Sequence, residues 1–295
     1  MIIVIVGPTG VGKTRLSVEL AKKLDGEVIN GDSTQLYREL NIATAKIKEE
    51  EKENIPHHLF DTKDINEDYT VYDYQKDARK VIADILSRGK TPIIVGGTGL
   101  YIKAAIYDYE FKDEETHGDY SSLSKEELYN RALVIDPDMN IHINNRKRIE
   151  RFLDYYSSNN KPLSKKEKTD KIIYDDVIFI GLTTSKERLY EIINKRVDKM
   201  LDEGLLEEAK KIYDSGIKTK AVLTPIGYKE LFPYFEGETP LEECIETLKQ
   251  RTRKYAKRQY TRFNHQMNVT WFNVDFSDFN KTIVEIYNFI TKRTN

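Results

Sequence analysis

Residues Gly7-Pro8-Thr9-Gly10-Val11-Gly12-Lys13-Thr14 fit the spacing G-x-x-x-x-G-K-[ST]. The glycines let successive backbone N–H groups curl around an anion, and the helix that must follow adds its positive N-terminus. Lys13 supplies a point charge, and Thr14 a hydroxyl for a Mg²⁺ ion that keeps most of its waters. The chemistry such a loop can do is polyphosphate binding. Whose polyphosphate it binds is not written in the loop.

Ligands in open α/β sheets sit beyond the carboxyl ends of the strands. The acid found at such an end is Asp32, in Gly31-Asp32-Ser33-Thr34-Gln35, so Asp32 is expected beside the phosphates. The run Ile93-Ile94-Val95 ends instead in Gly96-Gly97-Thr98, without the acid that usually holds Mg²⁺ in nucleotide triphosphatases. From Lys249 to Arg262 there are seven bases and no acid: Lys249, Arg251, Arg253, Lys254, Lys257, Arg258 and Arg262. At helical spacing Leu248, Thr252, Tyr255 and Gln259 form a narrow stripe free of bases. A face of one sign suggests phosphate contact, of a polynucleotide backbone or of the site's own pyrophosphate, ahead of the alternative that it balances acids elsewhere in the fold. Arg146, Lys147, Arg148 and Arg151 form a second such cluster. His57-His58 with Asp61 reads as a packed loop and not as a metal site.

The elements that must position these groups follow from hydrophobic period. Ile2 to Val6 is a continuous β-branched run, expected of a strand buried on both faces. Leu16, Leu20 and Leu24 mark one face of a helix, and Glu27 to Asn30 a second strand. Tyr74, Ala78, Val81, Ile82 and Ile85 mark another helix, stopped by Gly89 and Pro92 ahead of a third strand. This alternation predicts an α/β fold, a parallel sheet of P-loop NTPase type flanked by helices. Residues 113–138 then hold eight acids and two bases, and 145–171 nine bases and four acids. With a capping box at Ser124 and Glu127, the stretch 113–173 is expected to be a helical insertion, splitting the core into 1–112 and 174–295. Val177 to Leu182 returns to strand character; helices are expected from Thr184 with Glu187, from Thr239-Pro240 with Glu242, and after Ser277.

The 295 residues suffice for a full core plus one subdomain. Net charge is only −2, from 47 bases and 49 acids, so a nucleic-acid partner must be read from local clusters. Cys244 is the single cysteine, which excludes a disulfide framework. No apolar run approaches spanning length, so a cytoplasmic protein is expected, and nothing points to an obligate interface, so a monomer.

Taken in order, Gly7–Thr14, Gly31-Asp32-Ser33-Thr34-Gln35-Leu36-Tyr37, Ala43-Thr44-Ala45-Lys46, Ile55–Asp61, Gly96-Gly97-Thr98-Gly99-Leu100-Tyr101, Ile226–Glu230 and Thr252–Gln259 resemble the tRNA dimethylallyltransferase family over nearly the whole chain. Three positions depart from the family pattern: Ala43 replaces a usual glycine, Ile143 a common proline and Arg262 a usual tryptophan. The resemblance implies that the loop holds the pyrophosphate of dimethylallyl pyrophosphate. It further implies transfer of the dimethylallyl group to N6 of the adenosine 3′ of the anticodon in tRNA. Asp32 would then take the amine proton, Thr98 would face the bridging oxygen and Arg196 the leaving group. Contacts to tRNA would come from Asp32, Ser33, Thr34, Gln35 and Thr98, from Lys147, Arg148, Ile149, Glu150 and Arg151, and from Arg251, Arg253, Lys257 and Arg258. Three other readings share the P-loop: an ATP-dependent small-molecule kinase, a prenyltransferase acting on free adenine nucleotides, and a non-catalytic RNA-binding protein.

Overall fold

Every residue of β1 (Ile2–Val6) is buried, as a β-branched run between two helical layers requires. It lies inside a six-stranded parallel sheet with β2 (Gly26–Asn30), β3 (His57–His58), β4 (Thr91–Val95), β5 (Val177–Thr183) and β6 (Thr270–Asn273), in the order β3-β2-β4-β1-β5-β6. Ile3, Val4 and Ile5 pair with Ile93, Ile94 and Val95 on one side, and with Ile178, Phe179 and Ile180 on the other. Side chains alternate across the sheet. Ile2, Val4, Val6 and Ile94 join one core with Tyr74, Ile82 and Tyr101. Ile3, Ile5 and Ile93 join the other with Leu16, Leu20 and Ile283.

The computed structural model describes residues 1–109, 118–162 and 171–294. Its helices are α1 (Lys13–Lys23), α2 (Glu49–Lys52), α3 (Val71–Ser87), α4 (Gly99–Ile106), α5 (Lys125–Ile135), α6 (Arg146–Asn159), α7 (Lys186–Asp202), α8 (Leu205–Asp214), α9 (Lys220–Leu223), α10 (Phe232–Phe235), α11 (Leu241–Gln266) and α12 (Phe279–Thr294). Two units separate: Met1–Tyr107 with Ile172–Asn295, which holds the sheet, and Asp108–Lys171. The smaller unit has its own core, with Leu128 and Ala132 of α5 against Ile149, Phe152 and Leu153 of α6. Its two ends meet, since Tyr107 bridges Ile172 and the Asp108 N–H donates to Lys171 O at 2.8 Å. The Ser124 hydroxyl caps α5 by accepting from Glu127 N–H, while Glu127 reaches back to Ser124.

Several local expectations shift. The cap of α7 is Ser185, which accepts from Arg188 N–H, one residue past Thr184. Helix α11 begins after Pro240 without a side-chain cap. The His57-His58 pair is the edge strand β3, where His58 Nε2 meets Glu27 Oε2 at 2.8 Å. Glu27 is also gripped by Arg88, whose charge holds its carboxyl down near about 2. His58 therefore serves a buried ion pair, while His57 Nδ1 bonds Ile55 O at 2.8 Å. Strand β6 and helix α4 had no expectation at all.

Candidate active site

Strand order, not chain direction, reverses about β1: β4 lies on one side of it and β5 on the other. That is the switch point at which an open α/β sheet leaves a crevice. The loop after β1 bends there with Gly7, Gly10 and Gly12 at φ 141°, 89° and 91°. A Cβ at Gly7 would stand 2.5 Å from Leu182 O, and one at Gly12 2.6 Å from the Phe279 ring, so both positions need glycine twice over. Lys13 folds over the loop, donating to Gly7 O at 3.0 Å and Pro8 O at 2.8 Å. Desolvation lowers its pKa to about 8; Arg196 on α7 adds to the lowering and Asp32 opposes it. Burial also lowers the Arg196 value, against the pull of Asp32. Lys13, Arg196 and Asp32 thus act on one another within one electrostatic site.

Asp32 follows the end of β2. Its N–H donates to Asn30 Oδ1 at 2.8 Å, and Asn30 Nδ2 returns a bond to Asp32 O. Asn30 is itself fixed by Tyr74, whose hydroxyl donates to Asn30 O. Thr34 bonds Asp32 Oδ1 through both N–H and hydroxyl, at 3.0 and 2.8 Å. The other oxygen, Oδ2, faces Gly97, where a Cβ would lie 3.2 Å from it. Thr98 Oγ1 accepts from Ser33 N–H at 3.0 Å and lies 3.2 Å from Ser33 Oγ. The loops after β2 and β4 are in backbone contact: a Cβ at Gly96 would stand 2.1 Å from the Gly31 carbonyl carbon. Sequence order keeps Asp32 and Thr98 far apart; this contact puts them side by side. Gln35 turns away, donating to Thr44 O at 2.8 Å.

Thr14 is exposed on the first turn of α1. Among the described residues no group of three His, Cys, Asp or Glu side chains could cage a metal. The Thr14 hydroxyl is a hard-oxygen group that fits a Mg²⁺ ion taking its remaining ligands from water and phosphate.

The basic run on α11 divides. Arg251 pairs with the fully buried Glu230 carboxylate at 2.8 Å. Arg253 bonds Asn194 and Glu246, and Lys249 pairs with Asp198 at 2.5 Å. Asn194 and Asp198 flank Arg196 on α7, so these bases fix the helix that carries the site's arginine. Lys254, Lys257 and Arg258 are exposed, the last lying over the Tyr255 ring. In the smaller unit Lys147, Arg148 and Arg151 are exposed. Between them the Ile149 side chain is fully buried in the α5–α6 core. Glu150 bonds Arg146, whose guanidinium also caps Leu123 O and Tyr120 O.

Two residues were not singled out for the site. Gln259 is buried among the bases; its Oε1 accepts from Thr9 N–H at 3.1 Å and its Nε2 donates to Gly97 O at 3.1 Å. Tyr255 lies one turn earlier; burial pushes its pKa up, against a smaller lowering by Thr98 and Gln259 beside its hydroxyl. The signal was present, because a glutamine in a helix's buried stripe must find partners.

The IPP transferase family matches residues 35–266. A tRNA dimethylallyltransferase from Anoxybacillus flavithermus is 48% identical, over 98% of this chain and 96% of its own. The solved tRNA delta(2)-isopentenylpyrophosphate transferase from Staphylococcus epidermidis is 42% identical with a TM-score of 0.75, covering 99% of both chains. A eukaryotic dimethylallyltransferase solved acting on tRNA is 32% identical with a TM-score of 0.83, covering 99% of this chain and 79% of that one. With the phosphate loop, the aspartate and the threonine at one crevice, the chain belongs to the IPP transferase family.

Proposed function

We propose that the protein is a tRNA dimethylallyltransferase, moving the dimethylallyl group of dimethylallyl pyrophosphate to N6 of the adenosine 3′-adjacent to the anticodon. The single observation that carries this reading is Asp32 Oδ2 and Thr98 standing beside a phosphate loop, with Arg196 acting on the same site.

The P-loop N–H groups and Lys13 hold the pyrophosphate. Thr14 would hold Mg²⁺, which screens the phosphate charge when bound. The adenine amine is a poor nucleophile because its lone pair is delocalised into the ring. Asp32 Oδ1 is pinned by Thr34, which leaves Oδ2 to orient the amine and take its proton. As the N6–carbon bond forms, the bond from that carbon to the bridging oxygen breaks and the electron pair leaves with pyrophosphate. Thr98 donates toward that oxygen, while Lys13 and Arg196 stabilise the charge it gains. The target base must leave its stack, at a cost of a few kcal/mol. Phosphate contacts from Lys254, Lys257 and Arg258 on α11, and from Lys147, Arg148 and Arg151 in the 108–171 unit, offset that cost. The protein works as a monomer in the cytoplasm; among the described residues no helix is long and apolar enough to cross a membrane.

The test is mass spectrometry of nucleosides from unmodified tRNA incubated with protein, Mg²⁺ and dimethylallyl pyrophosphate. One dimethylallyl group on the adenosine following the anticodon is the expected product. Transfer to free adenine nucleotides but not to tRNA, or phosphoryl transfer from ATP, would overturn the reading.

A further inference from the structure

Helix α11 lays three side chains at helical spacing on the loop after β4. Tyr255 reaches Thr98, Gln259 reaches Gly97, and Arg262 lies against Gly99, where a Cβ would be 3.0 Å from its Cδ and Nε. Positions 255, 259 and 262 share one face of a helix. The fit at Gly97 is close enough to exclude any side chain, because a Cβ there would meet Gln259 Nε2 at 2.0 Å. Gln259 also reaches the P-loop, taking the Thr9 N–H. A single side-chain amide therefore spans the two loops that hold the leaving pyrophosphate, one at its phosphates and the other at its bridging oxygen. Its helix also carries Lys254, Lys257 and Arg258 on its exposed side.

We infer that Gln259 is a positioning residue that sets the P-loop and Thr98 in register and ties both to the helix facing the RNA. The inference rests on the proposed transfer reaction and adds a residue to it. Gln259 touches no reacting atom: its amide oxygen fixes Thr9 and its amide nitrogen fixes the carbonyl preceding Thr98. Bonds at both ends make the register rigid. An isosteric side chain lacking the Nε2 donor keeps the first bond and loses the second. A group that works only by aligning Thr98 has nothing to contribute once Thr98 lacks its hydroxyl.

The experiment is a double-mutant cycle read in kcat at saturating dimethylallyl pyrophosphate and tRNA, using wild type, Gln259→Leu, Thr98→Ala and the double variant. Gln259→Leu is expected to lower kcat by about 10²-fold, the usual result of a misplacement near 1 Å. KM for tRNA should change by less than about threefold, since every phosphate-binding side chain is retained. On the Thr98→Ala background the same substitution should cost almost nothing more. Multiplicative losses in the double variant, or an unchanged kcat in Gln259→Leu, overturn the inference. Gln259→Glu, which keeps an acceptor for Thr9 N–H, is measured alongside and read the same way should the leucine variant fold poorly. If wild type itself transfers no prenyl group, the proposed function has failed, and not the role of Gln259.

Discussion

Removing the charge of Lys13 should change how stability depends on pH. Lys13 is held among loop carbonyls with Arg196 nearby, and its pKa falls from an ordinary value near 10.4 to about 8. Between those values the unfolded chain keeps a proton that the folded chain has lost. Stability must then rise with pH across the window, and the penalty for burying the charge is complete below pH 8. One pH unit corresponds to about 1.4 kcal/mol, so raising pH from 8 to 9.5 should add about 2 kcal/mol of unfolding free energy through this residue. Lys13→Met lacks the titrating group and should lack that increment. Urea unfolding of both proteins at pH 7.5, 8.0, 8.75 and 9.5 makes the comparison, each curve carrying the same background from other groups. Pyrophosphate affinity of the wild type should fall over the same range, by up to about tenfold per unit, because binding must restore the proton. Stability curves that run parallel to within about 0.5 kcal/mol would refute the desolvation argument.

Asp32→Ala should slow prenyl transfer by about 10²–10⁴-fold while leaving pyrophosphate affinity within a few-fold, measured by single-turnover kinetics and equilibrium binding. Arg251→Ala should lower unfolding free energy by about 3 kcal/mol, because Glu230 would keep a buried charge without its partner. Lys257→Ala should leave the urea midpoint unchanged and raise the KM for tRNA instead. Replacing Lys147, Arg148 and Arg151 together with alanine should weaken tRNA binding and leave donor affinity unaffected. The log–log salt dependence of that binding should flatten by roughly 0.7–0.9 for each RNA phosphate no longer neutralised. Equal slopes in wild type and triple variant would reduce those bases to a solvated face.

The sequence made the buried strands β1, β4 and β5 legible because short runs rich in Ile and Val have few other destinations. The phosphate loop was legible for a similar reason, since its glycines and lysine are spaced by the anion itself. Strand β6 was not: Thr270–Asn273 is four residues long at a sheet edge, and only pairing with β5 makes it a strand. The basic run near residue 250 was half misleading. Charge density along a helix is visible in one dimension, but the acids that answer Lys249, Arg251 and Arg253 lie in distant sequence or two turns away. Gln259 was named in the sequence as part of a stripe, yet its two partners sit about 160 and 250 residues upstream. Such closures belong to topology, which spacing along the chain does not encode.

The meeting of Tyr107 with Ile172, and of Asp108 with Lys171, makes the smaller unit a cassette. Both of its junctions lie at one bridge, so the flanking chain spans the same short gap whatever the cassette's length or content. Recombination at these junctions exchanges the whole α5–α6 module without altering a strand register of the sheet. A graft carrying a different helical pair, or a tight turn in its place, gives a chimera that inherits the phosphate loop, Asp32 and Thr98 unchanged.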